Sequence, residues 1–561
     1  MSTHARPLAD RLAAASDAQL EELLRARSVR TDADWEDFFD AAEALLESGS
    51  IERGLAALTR TEAQHLRDAV QGNADADALT ALASRGFVDG DGRVLPPVAD
   101  LVTSRPAISE ASAVEESPSS EAASARCAER AFTTIGDLAD LLLAARSTPL
   151  ALVATGALSA GERRRLSTTS DPDQLREIAE ISGLARAVDR ELRVAARAED
   201  WLADPFAVRW AHVADSFRDA LPDGIRSNAG WVPVAEWHDA FPWSTSWPAR
   251  AQNLVALARL LGLRADDDTE PRWATPLRRG EPVDTSALES LLPTEVDRIF
   301  LQNDLTAIAP GPLQPALDNR LRAMSEHESA AQASSYRFTA ESISRALVDG
   351  ETESGILAFL HEVSLTGVPQ PLEYLVAQTA ARHGLVRVGP DATGGTSVSS
   401  ADENLLEAIE VDRNLRPMGL VRQGAQLASR VSAETVAWAL TDARYPATLV
   451  DRDGATVSAR RRRLAPEPHP VSTSHAALIA RLRSRQGPDA DAAWLDRELE
   501  TAVRARAVVL VEVAMPDGSS RELTLEASGM GGGRLRGRDR AADVERTLPV
   551  RSIRSVRVLE S

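Results

Sequence analysis

Lysine is missing from the sequence, so all 63 residues counted as Lys or Arg are arginines. A P-loop needs a lysine ammonium to reach the β- and γ-phosphates from its G-x-x-x-x-G-K-[ST] turn, and the planar guanidinium of arginine does not fit the same pocket. Schiff-base chemistry with a carbonyl substrate needs the same amine. The chain is therefore predicted to be no P-loop ATPase and to use no pyridoxal phosphate.

Cysteine is almost absent, because Cys127 is the only one. One cysteine excludes an intramolecular disulfide, a cysteine-based zinc finger and an iron–sulfur cluster. We expect Cys127 to be a buried or incidental thiol rather than a nucleophile. The nine histidines form no H-E-x-x-H motif, and the chain has no G-x-S-x-G elbow. We therefore predict no catalytic residue, metal or cofactor, and we do not expect an enzyme.

Long apolar runs are absent too, since no stretch approaches about 18 uninterrupted apolar residues. The first residues, MSTHARPLADRLAAAS, lack the apolar core of a secretory signal. We expect a cytoplasmic protein without a membrane partner.

The charge of the chain is unevenly distributed. The net charge is −21, but residues 401–561 carry 25 arginines against 23 acidic residues, whereas residues 1–400 carry 38 against 61. Phosphate repulsion opposes nucleic-acid binding by an acidic surface. Any nucleic-acid face is therefore expected toward the C-terminal end.

A chain of 561 residues with 43% hydrophobic side chains is long enough for several cores. The fold class predicted is predominantly α with small β elements (α+β), in several domains. Serine-rich and glycine-rich stretches predict linkers. The predicted order is a helical, winged-helix-like domain over 1–105, a flexible linker over 106–130, a tandem winged-helix-like region over 131–294, an α/β domain over 295–390, a linker over 391–402, an α/β extension over 403–487 and a small β-barrel over 488–561.

The winged-helix interpretation depends on short helices followed by a hairpin. A helix ending near Arg85 precedes a hairpin over 87–95, and helices over 135–144, 161–167 and 173–187 precede a strand over 191–196. A weaker third copy runs over 232–276. Winged helices bind DNA or serve as protein–protein spacers, and in this acidic half both readings stay open.

Residues 298–388 contain two short strands and three helices. Thr339 and Ser342 have the spacing of a capping box. The residues that carry a resemblance here are Phe338, Thr339, Ser342, Ile343, Ala346, Gly350, Leu360, Ser364, Gly367, Val368 and Pro369. Their order resembles the N-terminal domain of XPB-type DNA helicases, in a helicase-associated protein of actinobacterial type. Because no ATPase core follows, the resemblance implies a binding domain without the motor.

The C-terminal stretch changes to a strand pattern over 508–513, 521–525 and 548–558. This order predicts a small Sm-like β-barrel and resembles the WYL domain of bacterial regulators. That resemblance implies ligand sensing, although Gly533–Leu535 stands where the Trp-Tyr-Leu signature would lie.

Three arginine groups are candidate nucleic-acid-binding residues. Alternate residues of a strand project from one face, so an arginine row after a glycine-rich turn over 529–533 matches a phosphate backbone. For the turn itself we favour a hairpin over a phosphate loop. Four tryptophans over 231–247 are expected to be core and inter-domain packing rather than a base-stacking platform. The candidates are Arg534, Arg536, Arg538 and Arg540 in the row, Arg460, Arg461, Arg462 and Arg463 in the densest basic run, and Arg163, Arg164 and Arg165 at the expected start of a helix.

The function predicted is a non-catalytic, helicase-associated DNA-binding or adaptor protein in DNA repair or transcription. Its expected partners are DNA, single-stranded or forked, and a helicase or other DNA-processing protein. Two alternatives remain open. One is a transcriptional regulator that senses a ligand or a single strand through the WYL-like domain, and the other is a scaffold whose acidic N-terminal half docks on a basic protein.

Overall fold

The computed structural model describes residues 5–109, 115–166, 168–227, 229–330, 334–391, 395–452, 464–467, 474–486, 490–515 and 519–559. The chain is 49% helical and 19% strand. The prediction of a mainly helical α+β chain is therefore confirmed.

The first part of the chain is almost entirely helical. Its helices begin at capping residues such as Ser16 and Thr59, whose hydroxyls accept backbone N–H groups. The elements are α1 Ala5–Ala14, α2 Asp17–Ala26, α3 Phe38–Leu45, α4 Ser48–Ala56, α5 Arg60–Val70, α6 Ala76–Ser84, α7 Pro96–Thr103, α8 Glu121–Ser147, β1 Leu150–Ala151, α9 Ala160–Arg165, α10 Pro172–Ile181, β2 Ala185–Val188, β3 Glu191–Val194, α11 Ala198–Ala203, α12 Phe206–Asp219, β4 Arg226–Ser227, β5 Gly230–Trp231, α13 Trp247–Leu260, α14 Ala274–Arg278 and α15 Ser286–Glu289.

Helices and strands alternate in the rest of the chain. The elements are β6 Phe300–Leu301, β7 Thr306–Ala309, α16 Pro315–Met324, β8 Glu326–Ala330, β9 Ser334–Arg337, α17 Ala340–Val348, α18 Glu353–Val363, α19 Gln370–Arg382, β10 Val386–Pro390, β11 Thr396–Ser400, α20 Glu403–Val411, β12 Val421–Gln423, β13 Gln426–Ser429, α21 Ala433–Asp442, β14 Ala447–Leu449, α22 Ala476–Ser484, α23 Ala490–Ala505, β15 Val508–Ala514, β16 Ser520–Gly531, β17 Arg534–Asp539, β18 Val544–Pro549 and β19 Ile553–Leu559.

The chain forms two compact units, and both are discontinuous in sequence. The first consists of residues 1–116, 221–255 and 468–561, and the second of residues 117–220 and 256–467. The boundaries of these units therefore differ from the contiguous domains predicted over 403–487 and 488–561.

In the first unit, the N-terminal helices share their core with residues from the far end of the chain. Leu478, Ile479 and Leu482 of α22 and Trp494 of α23 are buried in the same cluster as Phe38 of α3. Burying such apolar surface stabilises the unit by about 25 cal/mol per Å². Residues of the last hundred positions thus complete the N-terminal core.

The C-terminal sheet of the first unit has five antiparallel strands in the order β18-β17-β16-β15-β19. Leu495, Leu499 and Ala502 of α23 pack on one face, against strand residues such as Val511 and Leu535. In the described strands β18 and β19 are the two edges of the sheet, so the predicted closed barrel is not found. Because α23 covers the apolar face, the sheet does not need to close on itself to bury it.

In the second unit, residues 121–194 follow the order helix, strand, helix, helix, strand, strand, and the sheet order is β1-β3-β2. Helices lie at the three predicted places and a hairpin follows them, but the third helix ends at Ile181 and residues 185–187, predicted to be helical, belong to strand β2. The weaker third copy, predicted over 232–276, runs into a helix at its end, because Ala274–Arg278 is α14.

The helix α16 is joined to α8 by a partly buried ion-pair network. Arg322 pairs with Asp140 of α8 and, at 2.9 Å, with Asp318 of its own helix. The hydroxyl of Tyr336 on β9 donates to Asp318. Burial raises the pKa of Asp140, although the Arg322 charge opposes this rise. Two regions of the second unit are therefore joined by charged side chains that are partly shielded from water.

Residues 299–449 form two sheets, each with its own core. The first has the order β6-β7-β9-β8, and α16 to α19 pack with it. The second has the order β12-β13-β11-β10-β14, in which β10 and β14 are parallel and the other pairs are antiparallel. The predicted domain end at residue 390 falls inside the second sheet.

Both predicted linkers contain regular structure. The helix α8 begins at Glu121, where the hydroxyl of Ser120 accepts the backbone N–H of Ala123, so the linker prediction is wrong for residues 121–130. Strand β11 pairs with β10 and β13, so the second linker prediction is wrong for Thr396–Ser400. Within the described residues, no helix is long and apolar enough to cross a membrane.

Candidate nucleic-acid interface

The candidate arginines at 534 to 540 follow the hairpin turn between β16 and β17. Gly532 and Gly533 form this turn with φ of +60° and +70°. A type I′ turn requires left-handed φ at both central residues, which glycine adopts without steric cost. The prediction of a hairpin at the glycine-rich stretch is confirmed.

Side chains along β17 alternate between the core and solvent. Arg534, Arg536 and Arg538 are exposed, and the residues between them are buried. Successive outward residues of a strand are about 6.8 Å apart, so these three arginines form a straight line, which we call the arginine row. Arg540 is not part of the row, because the strand ends at Asp539.

Carboxylates surround the end of the arginine row that is farthest from the turn. Arg538 forms an ion pair with Asp543, with 2.7 Å between Nη2 and Oδ1. Its cross-strand neighbours are Glu526 on β16 and Glu545 on β18. Arg538 is therefore largely neutralised within its own sheet.

The end of the row next to the turn has no acidic neighbour. Among the residues that the structure describes, no carboxylate lies within ion-pair distance of Arg534 or Arg536. Two guanidinium groups are therefore free to meet an external anion. Their cross-strand neighbours are Gly531 and Pro549 for Arg534, and Gly529 and Thr547 for Arg536.

Gly529 and Gly531 leave the surface beside the row open. A Cβ atom added at either position would meet no heavy atom within 4 Å. Neither glycine has a left-handed φ, so the backbone does not require glycine there. A β-bulge between Ala527 and Gly529 shifts the register and places both glycines opposite the row. We call Gly529 and Gly531 the glycine shelf.

An ion pair on the inner side of the hairpin fixes the turn that carries Asp543. Asp539 is 2% exposed and pairs with Arg546 at 2.6 Å. The Arg546 side chain, together with the backbone N–H groups of Ala541 and Ala542, lowers the pKa of Asp539. The neutralised end of the row is thus held by a charged pair within the sheet.

The arginines Arg163 to Arg165 lie in the last turn of α9, not at its start as predicted. The helix begins earlier, because the hydroxyl of Ser159 accepts the backbone N–H of Glu162. Arg163 pairs with Asp173 at 3.3 Å, and Arg165 pairs with Glu162 at 2.8 Å. Two of these three arginines are therefore occupied by carboxylates of their own region.

The neighbouring helix α10 adds to this neutralisation. Its one arginine, Arg176, forms ion pairs with Asp173 and Glu180. The helix and its N-cap otherwise carry acidic side chains, which repel phosphate. The charged side chains are Asp171, Asp173, Arg176, Glu177 and Glu180.

The other residues singled out in the sequence either lie outside the described residues or are buried. Arg460 to Arg463 lie outside the described residues, so their prediction stays untested. The tryptophans at 231, 237, 243 and 247 are buried, which confirms core packing. Cys127 is also buried, and burial raises the pKa of its thiol to about 11. In the described part of the chain, no group of three or more His, Cys, Asp or Glu side chains is arranged to hold a metal ion.

Sequence reasoning identified the arginine row but missed the features that divide it into two ends. The neutralising partner Asp543 lies beyond the strand, and the glycine shelf depends on the bulge that precedes it. The glycine-rich sequence over 529–533 is the signal that could have revealed the shelf, but by itself it predicts only a turn.

The residues that carry the helicase resemblance lie mostly in the interior of the first sheet domain. Phe338, Ile343, Ala346 and Leu360 are buried in one core. Thr339 and Ser342 form a reciprocal capping box at the start of α17, as predicted. These matching residues therefore specify packing and helix capping.

Comparison with known families gives one match. Residues 299–424 match the family model described as the helicase conserved C-terminal domain. The match begins at the first of the two sheets and ends in the turn between β12 and β13 of the second, beyond the predicted limit at residue 390. A comparison of the chain with curated proteins finds no match. Residues 299–424 are thus similar to the helicase conserved C-terminal domain, which suggests a relation to helicases.

Proposed function

We propose that this protein is a non-catalytic, helicase-associated adaptor that binds nucleic acid through the arginine row. The single observation that carries the proposal is the pair Arg534 and Arg536, exposed and without a carboxylate partner among the described residues, in a chain of net charge −21. Phosphates bind where arginines remain un-neutralised. The helicase-related domain supports the choice of nucleic acid as the ligand.

The absence of lysine supports the non-catalytic part of the proposal. Without a Walker A lysine the chain cannot hold ATP phosphates as P-loop helicases do. We propose that residues 299–424 are an XPB-like domain that works beside a motor on another protein, in DNA repair or transcription. Full-length protein should hydrolyse ATP no faster than the buffer blank, with or without DNA.

Two finer assignments belong to the same proposal. The helix–strand–helix–helix–hairpin order of residues 121–194, with β1 beside β3, supports a winged helix. Because α10 carries acidic side chains, residues 121–194 are better suited to act as a spacer between proteins than to contact DNA. Helix α23 precedes the C-terminal sheet, and the last strand, β19, pairs with the first, β15. Both features support a WYL-like origin for this sheet.

The experiment is an anisotropy titration of labelled DNA with full-length protein at low salt. We expect Arg534→Ala/Arg536→Ala to weaken binding about ten-fold, because two phosphate contacts are lost. The matched control is Arg521→Ala/Arg554→Ala, which removes two exposed arginines of the same sheet, about 30 Å from the turn along β16. Equal affinity of both variants would contradict the assignment of the site.

A further inference from the structure

We infer that the arginine row binds the sugar–phosphate backbone of single-stranded nucleic acid without reading its base sequence. The inference rests on the proposed function and names the ligand class of the same site. Three observations support it. The arginine row is only one strand wide, the glycine shelf beside it is lower than the arginine side chains, and the sheet lacks aromatic and amide side chains.

The basic strip is one strand wide. Neighbouring strands lie about 4.8 Å apart, and both strands beside Arg538 present a glutamate to it. A duplex brings two phosphate chains over a broad surface, so some of its phosphates would approach Glu526, Glu545 and Asp543. One phosphate chain over the turn end of the row meets Arg534 and Arg536 and avoids these carboxylates.

The glycine shelf forms a step beside the two free arginines. Above Gly529 and Gly531 the surface lies at the level of the backbone, whereas the guanidinium groups stand a side chain's length higher. A flexible single strand can settle against this step, with its phosphates at the guanidinium groups and its sugars over the shelf. A rigid duplex can touch only the tips of the arginines.

The sheet lacks the aromatic rings on which bases stack and the amide side chains that read base edges. After Trp494 the sequence contains no Phe, Tyr, Trp, His, Asn or Gln. Single-strand binding proteins stack bases on aromatic rings, and Asn and Gln read base edges. With Arg534 and Arg536 placed on phosphates, the sheet offers the bases neither a stacking ring nor an amide. The contacts are therefore mainly to the backbone, which is the same for every base sequence.

The test uses full-length protein and three labelled probes of about 12 nucleotides. They are oligo(dT), a single strand of mixed sequence, and the duplex of that strand with its complement. We expect the two single strands to bind within about two-fold of each other and the duplex to bind at least about five-fold more weakly. The decisive variant is Gly529→Val/Gly531→Val, which keeps every arginine and fills the shelf. Both positions have ordinary strand φ and open space, and valine favours strands, so the variant is expected to fold.

We expect Gly529→Val/Gly531→Val to weaken single-strand binding about five-fold and to leave duplex binding unchanged. Gly90→Val is the matched control, since Gly90 also has open space and lies outside the sheet. Equal binding of duplex and single strand, or no effect of filling the shelf, would overturn the inference and leave the proposed function standing. No binding to any probe at low salt would overturn the proposed function itself.

Discussion

Glu498 is a carboxylic acid in the interior of the first unit, with 6% of its surface exposed. Burial raises its pKa to about 7, and the nearby charge of Arg6 opposes this rise only in part. Between the ordinary glutamate pKa of 4.5 and about 7, the folded protein holds a proton that the unfolded chain has released. Stability therefore falls as the pH rises through this window.

We expect Glu498→Gln to raise the free energy of unfolding at about pH 8 by up to about 3 kcal/mol and to change it little near pH 4. The amide has similar volume and no charge to bury. Denaturant unfolding at the two pH values measures the difference. Glu500→Gln, an exposed residue of the same helix, is the control, and a stabilisation independent of pH would show that ionisation is not the cause.

At the scale of single residues, the sequence predicted exposure better than partners. Alternation along β17 correctly placed Arg534, Arg536 and Arg538 on one face. It could not show that Asp543 neutralises Arg538, because that contact depends on the path of a turn after the strand.

At the scale of elements, the C-terminal hairpin combines two kinds of glycine. Gly532 and Gly533 have left-handed φ, whereas Gly529 and Gly531 do not. Only the first pair is required by the backbone, because a β-branched residue in left-handed φ is strained.

We expect Gly533→Val to lower the free energy of unfolding by about 1–3 kcal/mol. Gly531→Val should be neutral or slightly stabilising, since it adds a good strand former at an open position. Thermal melting of the two single variants makes the comparison. If both variants lower the melting temperature equally, the distinction between turn and shelf glycines is wrong.

The two linker predictions also failed at the scale of elements. Residues 121–130 are rich in Ser, Ala and Glu, which suggested disorder, yet alanine is the best helix former and Ser120 provides the cap. Thr396–Ser400 has mainly small polar side chains, but its neighbours on both sides are strands whose hydrogen bonds it completes. Composition alone did not reveal either the cap or the paired neighbours.

At the scale of the whole molecule, order along the chain does not reproduce the compact units. His475 is 3% exposed and contacts Val29 and Glu21, which precede it in the sequence by 446 and 454 positions. Its ring nitrogens lie 3.1 Å from Oε1 of Glu21 and 2.8 Å from the carbonyl oxygen of Val29. Glu21 and Val29 thus hold the two nitrogens of one imidazole ring. Contacts between residues so far apart in the sequence leave no periodic pattern in it.

We expect His475→Ala to lower the free energy of unfolding by about 1 kcal/mol, because the carbonyl oxygen of Val29 loses its side-chain donor, while Glu21 keeps Arg25 and the backbone N–H of residue 475. Burial of the Glu21 carboxyl acts to raise its pKa, but hydrogen bonds from His475 outweigh this and lower it. The contribution is therefore present above the ordinary glutamate pKa of 4.5 and lost as the pH falls through the lowered value. Chemical denaturation near pH 7 measures the loss, with the exposed His238→Ala as control, and equal effects of both variants would contradict it.

The most direct test of nucleic-acid binding by the whole molecule is the salt dependence of its affinity for a single strand. Each phosphate contact contributes a slope of about −0.7 to a plot of log K against log salt, so two or three contacts predict about −1.4 to −2.1. Removing Arg534 and Arg536 together should make the slope shallower by about 1.4. A slope that Arg534→Ala/Arg536→Ala leaves unchanged would contradict binding at the arginine row.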